Sequence, residues 1–375
     1  MKFMFIGDLQ SHAWKNYPET DEKGVNLRLL DTSNELNRLC KLAVRNSVEC
    51  VFVLGDIFEA RNTLDITVLN QVYRAFMTFK ESNIRVILLV GNHDRTGVGN
   101  EHALEVFKPF CEVVDIPTTF PFIGGDVVAI PFHPNPKVIS RAIKETVTEE
   151  TKILLLHCAV KSLVMPNGRL WGDGISLEDI PKHVICLLGH YHKYAELRTG
   201  KVYYLGSMIQ VDKSDAGNPK YFVVYDSSVK DRPLRFFQTK GPKFVAIDID
   251  RPTAGYYESL EPLVAGNFVT VKSLPNGFND TSAVIDSLKK VGARHVDIAV
   301  QTQFPSIMPP ELSDTESNLA PVEAVEEYVE QSETNLDKDI LTDVGVRIVQ
   351  TVSRTVDSGD KDIDAAFNEM IAQDV

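Results

Sequence analysis

The chain has 375 residues, 43% of them hydrophobic and 24% charged, a globular composition that at about 150 residues per domain predicts two or three domains. Its net charge of −13 lies wholly after residue 310, where 17 Asp and Glu face 4 Lys and Arg, while residues 1–310 hold 35 of each. An uncharged body neither demands nor excludes a polyanionic partner. No apolar run approaches the ~18 residues of a membrane span, and the stretch before Asp8 is too short for a secretory leader. The five cysteines (Cys40, Cys50, Cys111, Cys158 and Cys186) are odd in number and form no C-x-x-C pair. That argues against a disulfide framework or zinc knuckle and for a reducing, cytoplasmic compartment.

In chain order, short β-branched runs alternate with helical patterns, the signature of a layered α/β fold. Strands are predicted at Lys2–Ile6, Cys50–Leu54, Arg85–Val90, Val127–Pro131, Lys152–His157, Val184–Leu188, Val202–Leu205 and Tyr221–Tyr225. Apolar residues at three- and four-residue spacing predict helices over Leu29–Val44 and Val68–Phe79. From Val184 the strands succeed one another without helices, which predicts antiparallel strands closing a second sheet. The expected fold is a two-sheet β-sandwich flanked by helices over residues 1–240. Gly241-Pro242 breaks the pattern. Strands at Phe244–Ile249, Phe268–Val271 and Val296–Val300 and a helix at Thr281–Val291 then predict a small α+β domain, 241–304. A Pro-rich linker, 305–317, leads to an acidic helical segment, 318–375, in which Val322/Val325/Tyr328/Val329, Leu341/Val344/Ile348/Val352 and Ile363/Ala366/Phe367/Met370/Ile371 form three apolar stripes. The chain shows no internal repeat and neither the P-loop nor the G-x-G-x-x-G nucleotide motif.

Five polar clusters follow apolar strands: Gly7-Asp8-Leu9-Gln10-Ser11-His12, Gly55-Asp56, Gly91-Asn92-His93-Asp94, His157, and Gly189-His190-Tyr191-His192. A single Gly-Asp after a strand is commonly a turn, and a single His ending an apolar run is commonly a core histidine. Placed after successive strands of one sheet, however, these side chains converge. They then supply oxygen and imidazole ligands suited to manganese, iron or zinc. The His-x-His alternation in an extended segment sets both imidazoles on one side, so each can take a different ion of a two-metal site.

The ordered set Asp, Gly-Asp, Gly-Asn-His-Asp, His, Gly-His-x-His resembles the calcineurin-like metallophosphoesterases over residues 1 to about 240. The segments Tyr203-Tyr204-Leu205-Gly206-Ser207 and Pro219-Lys220-Tyr221-Phe222-Val223-Val224-Tyr225-Asp226 look more specifically like the SbcD nucleases. These are prokaryotic and phage counterparts of the eukaryotic double-strand-break repair nuclease, and include phage recombination exonuclease subunits. The resemblance implies two divalent ions, with Asp56 bridging, Asp8 and His192 on one, and Asn92, His157 and His190 on the other. His93 would protonate the leaving oxygen or stabilise charge, its ring oriented by Asp94. The resemblance further implies a capping, DNA-binding domain at 241–304, an SbcC-like ATPase docked on 318–375, and a homodimer. The His-rich set predicts manganese ahead of magnesium.

One position departs from the family, which has Asp-x-His where this chain has Asp8-Leu9-Gln10. Gln10 ligates only through a neutral amide oxygen, and His12 is an alternative ligand. Arg61, Arg95, Lys161, Lys193 and Lys213 follow the motifs closely and are candidates for phosphate contacts, although surface solvation is the commoner role. Trp14, Tyr17 and Trp171-Gly172-Asp173 lie in predicted loops, where an aromatic stacks on an unpaired base or packs beneath the loop. The leading expectation is a two-metal DNA nuclease. The alternatives are a hydrolase of small phosphoesters or cyclic nucleotides, and a weakly active scaffold that holds the ATPase on DNA.

Overall fold

A computed structural model describes residues 1–59, 63–96, 101–161, 173–230, 232–275, 278 and 280–299, with a few positions beyond. The first run is β1 (Lys2–Ile6), α1 (Leu27–Arg45), β2 (Cys50–Val53), α2 (Ile66–Glu81), β3 (Arg85–Leu89) and β4 (Glu112–Val114). A second run comprises β5 (Thr118–Phe120), β6 (Asp126–Ile130), α3 (Pro136–Thr146), β7 (Thr151–His157), β8 (Ile185–Gly189), β9 (Ala195–Arg198) and β10 (Val202–Tyr204). The chain then forms β11 (Tyr221–Asp226) and β12 (Leu234–Gln238). An accessory module follows, made of β13 (Phe244–Asp248), α4 (Ala254–Val264), β14 (Phe268–Ser273), α5 (Thr281–Lys290) and β15 (His295–Ile298).

Two six-stranded sheets result, ordered β12-β11-β1-β2-β3-β4 and β5-β6-β7-β8-β10-β9. The mixed α/β sandwich is therefore as expected, with a correction to its last strands. β10 pairs parallel with β8, and β11 crosses back to lie antiparallel to β1 in the first sheet. An antiparallel closure of the second sheet by all the late strands is thus not what forms. The strands read as unbroken apolar runs because both faces are covered. Phe3 and Phe5 point between the sheets with Phe52, Leu54, Leu155 and Leu187, while the alternate residues Met4 and Ile6 pack under α1 and α2 with Leu36, Leu39, Phe76 and Phe79. α3 covers the outer face of the second sheet through Ile139 and Ile143. All five cysteines are free and buried in these layers.

Helices α3 and α4 were not among the sequence expectations, although α3 carries a readable start, Asn135 as N-cap followed by Pro136. The helices α1 and α2 begin about two residues earlier than their periodicity suggests, at the caps Asn26 and Asp65. The accessory module is a three-stranded parallel sheet, β13-β14-β15. It has its own core of Ile247, Tyr257, Val269, Val271, Val284 and Leu288. Residues Met1–Gln301 nevertheless form one compact unit, with Thr302–Val375 a second. The expected linker and the apolar stripes of the acidic segment lie almost wholly outside the described residues.

What holds the module to the sandwich is a buried cation. Arg28, at the start of α1, is 1% exposed. Its Cζ lies 4.4 Å from the Trp14 ring centroid, 4.8 Å from Phe268, 5.2 Å from Phe244 and 5.7 Å from Tyr17. One guanidinium nitrogen donates to the carbonyls of Gln210 (2.7 Å) and Val211 (3.3 Å), while Nε and Nη1 have no hydrogen-bond partner and face the rings instead. Burial lowers its pKa to about 10, so it remains a cation at neutral pH. Two ion pairs flank this box, Arg294 with Asp31 and Lys213 with Asp297, and His295 Nδ1 lies 3.0 Å from Glu19 Oε1. Trp14 and Tyr17 are therefore packing residues, and Lys213 is engaged by the module. We expect Arg28→Ala to lower the unfolding free energy by about 2–4 kcal/mol through the lost cation–π contacts and the cavity left behind. Denaturant unfolding measures this, and a loss below ~0.5 kcal/mol would show the box to be dispensable.

Candidate metal centre

The five polar clusters meet at one end of the sandwich, yet they come from both sheets. Asp8, Asp56 and Asn92 follow β1, β2 and β3 of the first sheet, while His157 ends β7 and His190 follows β8 of the second. Convergence on a single sheet, the sequence expectation, is corrected by this: the parallel strands of both layers present their carboxyl ends to a shared edge.

Two ligand sets form there. Asp56, His157 and His190 bring donor atoms within 4.8 Å of one another, and so do Asp8, Asp56 and His192. Asp56 belongs to both. Asn92 Oδ1 joins the first set, 2.7 Å from His190 Nδ1 and 3.0 Å from His157 Nε2. Gln10 joins the second, its Nε2 2.9 Å from Asp56 Oδ2 and 3.0 Å from His192 Nε2. Gln10 Oε1 is buried with no hydrogen-bond partner, an orphaned acceptor that a bound cation would satisfy. His12 enters neither set; its ring lies tilted against Trp14 at 3.7 Å between centroids, with Nδ1 3.1 Å from the Gln10 carbonyl. His190-Tyr191-His192 is a loop rather than a strand, and the two imidazoles still reach different sets because His190 sits at φ 94°.

Backbone strain concentrates here. Of the five non-glycine residues with positive φ among those described, three are Gln10 (49°), Asp56 (47°) and His190 (94°). The flanking glycines are required by close approach. Gly55 is at φ 101°, and a Cβ there would strike His157 Nδ1; a Cβ on Gly91 would strike the Asp56 carboxylate. The Gly-Asp and Gly-Asn-His motifs thus pair each ligand with the space it needs.

Electrostatics follow from burial. Asp8 is driven well above the usual carboxylate range by burial, against the pull of His157. Burial also works to raise Asp56, but His157, the His93 backbone N–H and the His93 ring together bring it below its ordinary value. His157 Nδ1 lies 2.6 Å from the Leu54 carbonyl, which can only accept, so this nitrogen carries a proton and Nε2 faces Asp56 Oδ1 at 3.3 Å. Burial opposes the charged imidazole, yet Asp56 and Asp8 outweigh it and raise its pKa to about 9. Burial, reinforced by His157, lowers His190 to about 3, and burial lowers His192 also.

His93 donates its backbone N–H to Asp56 Oδ1 (2.9 Å), and its Nδ1 lies 2.6 Å from the Glu59 carbonyl. Nδ1 therefore carries hydrogen. The expected role of Asp94 is corrected. Its carboxylate accepts from the backbone N–H groups of Phe58 (3.1 Å) and Gly91 (2.9 Å), so it ties two ligand loops together, while the Glu59 carbonyl orients the His93 ring. Glu59 escaped the sequence reading because a carbonyl contact leaves no side-chain signature. So did Phe132, which stacks on His190 at 6.0 Å. Arg95 donates to the Phe132 carbonyl (2.9 Å) and Lys193 to that of Ser214 (2.8 Å). Lys161 is exposed, Asp173 Oδ1 accepts from the Gly174 N–H, and Arg61, Trp171 and Gly172 lie outside the described residues. A third cluster, His102, Glu105 and Asp115, already has a cation between its two carboxylates, Lys108 Nζ at 2.7 Å from Glu105 and 3.0 Å from Asp115.

Residues 1–194 match the calcineurin-like phosphoesterase family. The chain belongs to that family, whose members are metal-dependent phosphoester hydrolases. Among solved structures it is similar to a dimetal phosphatase from Danio rerio, at 11% identity over 65% of this chain and 97% of that one, with a TM-score of 0.41. It is also similar to the phosphoesterase Yfce from E. coli, at 14% identity over 64% and 99% of the two chains, with a TM-score of 0.32. The family and the two ligand sets support two divalent ions. No helix among the described residues is long and apolar enough to cross a membrane.

The raised His157 value gives a signed pH dependence. In the ion-free protein its protonation stabilises the fold fully below its ordinary value of 6.5, and that contribution is lost as pH rises through about 9. A cation taking Nε2 must displace the proton, so affinity for divalent ions should rise with pH up to that value, with proton release at pH 7. Calorimetric Mn²⁺ titrations in buffers of different ionisation enthalpy measure the release. Identical heats in all buffers would contradict it.

Proposed function

We propose that this protein is a two-metal DNA nuclease acting at DNA ends, the nuclease subunit of a complex with an SbcC-like ATPase in DNA recombination, repair or degradation. The observation that carries this reading is the accessory module, held on the sandwich by the Arg28 box beside the metal centre. A small phosphoester needs no such second layer, whereas a polymer needs positioning. The SbcD-like segments after His192 support the same assignment.

In this reading Asp8, His192 and the Gln10 amide oxygen would hold one ion, Asn92, His157 and His190 the other, and Asp56, which belongs to both sets, would serve both. Gln10 is preferred to His12 because its side-chain amide stands beside Asp56 and His192 through Nε2, and a half-turn of that amide brings Oε1 to the same place. Three imidazoles favour manganese over magnesium. When bound, two such ions would supply Lewis-acid polarisation of the phosphoryl oxygens and a nucleophile at neutral pH. The protein's own contribution is His93, anchored at Nδ1 by Glu59, which delivers a proton from Nε2 to the leaving oxygen. A homodimer and a cytoplasmic location belong to the same proposal.

Chelation should abolish hydrolysis of linear DNA, and Mn²⁺ should restore it better than Mg²⁺. His93→Ala should keep its bound metal and lose about 10²-fold or more in turnover. Assays on linear double-stranded, single-stranded and circular DNA beside a generic phosphodiester decide the substrate, and cleavage of the generic ester alone would favour the small-phosphoester reading.

The acidic segment is the proposed ATPase-docking element, its apolar stripes filling a groove on the partner. Deleting 312–375 should abolish co-purification with the ATPase and leave Mn²⁺-dependent hydrolysis of a short substrate intact. Retained binding, or insolubility of the truncated chain, would refute docking.

A further inference from the structure

We infer that the buried Lys220–Asp215 ion pair is a positioning unit for Asp8 and His192, the two residues that belong to one ligand set and not to the other. The inference rests on the two-ion reading above and concerns what holds one of its halves in place.

Lys220 immediately precedes β11, and its side chain is 3% exposed, as is that of Asp215; Nζ lies 2.7 Å from Asp215 Oδ1. The same ammonium donates to the backbone carbonyl of His192 at 2.6 Å. The Ser207 N–H donates to that carbonyl as well (2.9 Å), and the next residue, Met208, donates its N–H to the carbonyl of Asp8 (2.8 Å). Asp215 Oδ2 accepts from the Val211 N–H (2.8 Å), which fixes the loop that carries these donors. The stretch 207–220 therefore grips the backbone of both Asp8 and His192. His157, in the other set, is held from elsewhere, by the Leu54 carbonyl.

A buried ion pair contributes little net stability, because desolvation of both charges offsets their attraction. Its distinctive product here is a charged donor aimed at the carbonyl of His192, which constrains where the imidazole stands. The network continues outward. Gln210 Nε2 donates to the Asp215 carbonyl (2.8 Å), and Gln210 Oε1 accepts from the Phe244 N–H (2.6 Å), the first residue of the accessory module. One ligand set is thus linked by consecutive hydrogen bonds to the module.

The test uses the full chain and Mn²⁺ alone. Lys220→Met/Asp215→Asn removes both charges, leaves no orphaned ion, and keeps an acceptor for Val211. In calorimetric titration with parallel electron paramagnetic resonance, the wild type should bind two ions. The double variant should bind one as tightly as the wild type and the other about 10–100-fold more weakly. Its kcat should fall, with the melting temperature nearly unchanged. Two ions bound at wild-type affinity would overturn the positioning role, as would equal weakening of both together with a collapse in melting temperature. A wild type that binds fewer than two ions, with His192→Ala leaving metal content unaltered, would instead overturn the two-ion reading and the inference with it.

Discussion

Asp8, Asp56 and Asp94 are buried within one site, at 0%, 1% and 2% exposure. Three carboxylates removed from water repel one another and cannot all ionise without compensation. Much of the architecture at this edge answers that constraint. Asp94 receives two backbone N–H groups, Asp8 receives the His190 N–H, and Asp56 receives the His93 N–H and faces His157. What remains uncompensated is shared between two sets of imidazole and amide groups, the donor chemistry of a pair of divalent cations.

Meeting the constraint requires a backbone that ordinary strands do not supply. The sandwich provides stiffness, since Phe3, Phe5, Phe52 and Phe120 interlock between the sheets and define how far apart the two rows of strand ends lie. Against that frame the loops can hold Gln10, Asp56 and His190 at positive φ, a cost of order 1–3 kcal/mol each that only a rigid surround sustains.

The same division explains what could be read from the sequence. Strands buried on both faces announce themselves as unbroken apolar runs, and glycine–ligand motifs announce a site because the chemistry and the close approach occupy adjacent positions. Late topology was hidden, because nothing local in Tyr221–Asp226 says that it returns to β1 rather than extending the second sheet. β12 and α4 were hidden too, the latter because Pro262 lies inside it. Contacts between distant segments were invisible for the same reason: Arg28 against Phe244 and Phe268, and Lys220 against His192, join residues whose sequence neighbours carry no trace of the partner. Adjacency in sequence suggests His93 as the partner of Asp94, whereas its hydrogen-bond donors are the backbone N–H groups of Phe58 and Gly91.

The distribution of thiols has a practical consequence. Burial raises the pKa of Cys50, Cys111 and Cys158 to about 12, so almost no reactive thiolate exists at neutral pH in the folded chain. Cys40 and Cys111 lie in the layer under α1 and α2, Cys50 between the sheets, and Cys158 and Cys186 in the layer under α3, while the core of the accessory module contains none. Alkylation kinetics therefore amount to a built-in clock for the opening of each layer of the sandwich, silent to motion in the module, and they resolve which sheet breathes first without any introduced label.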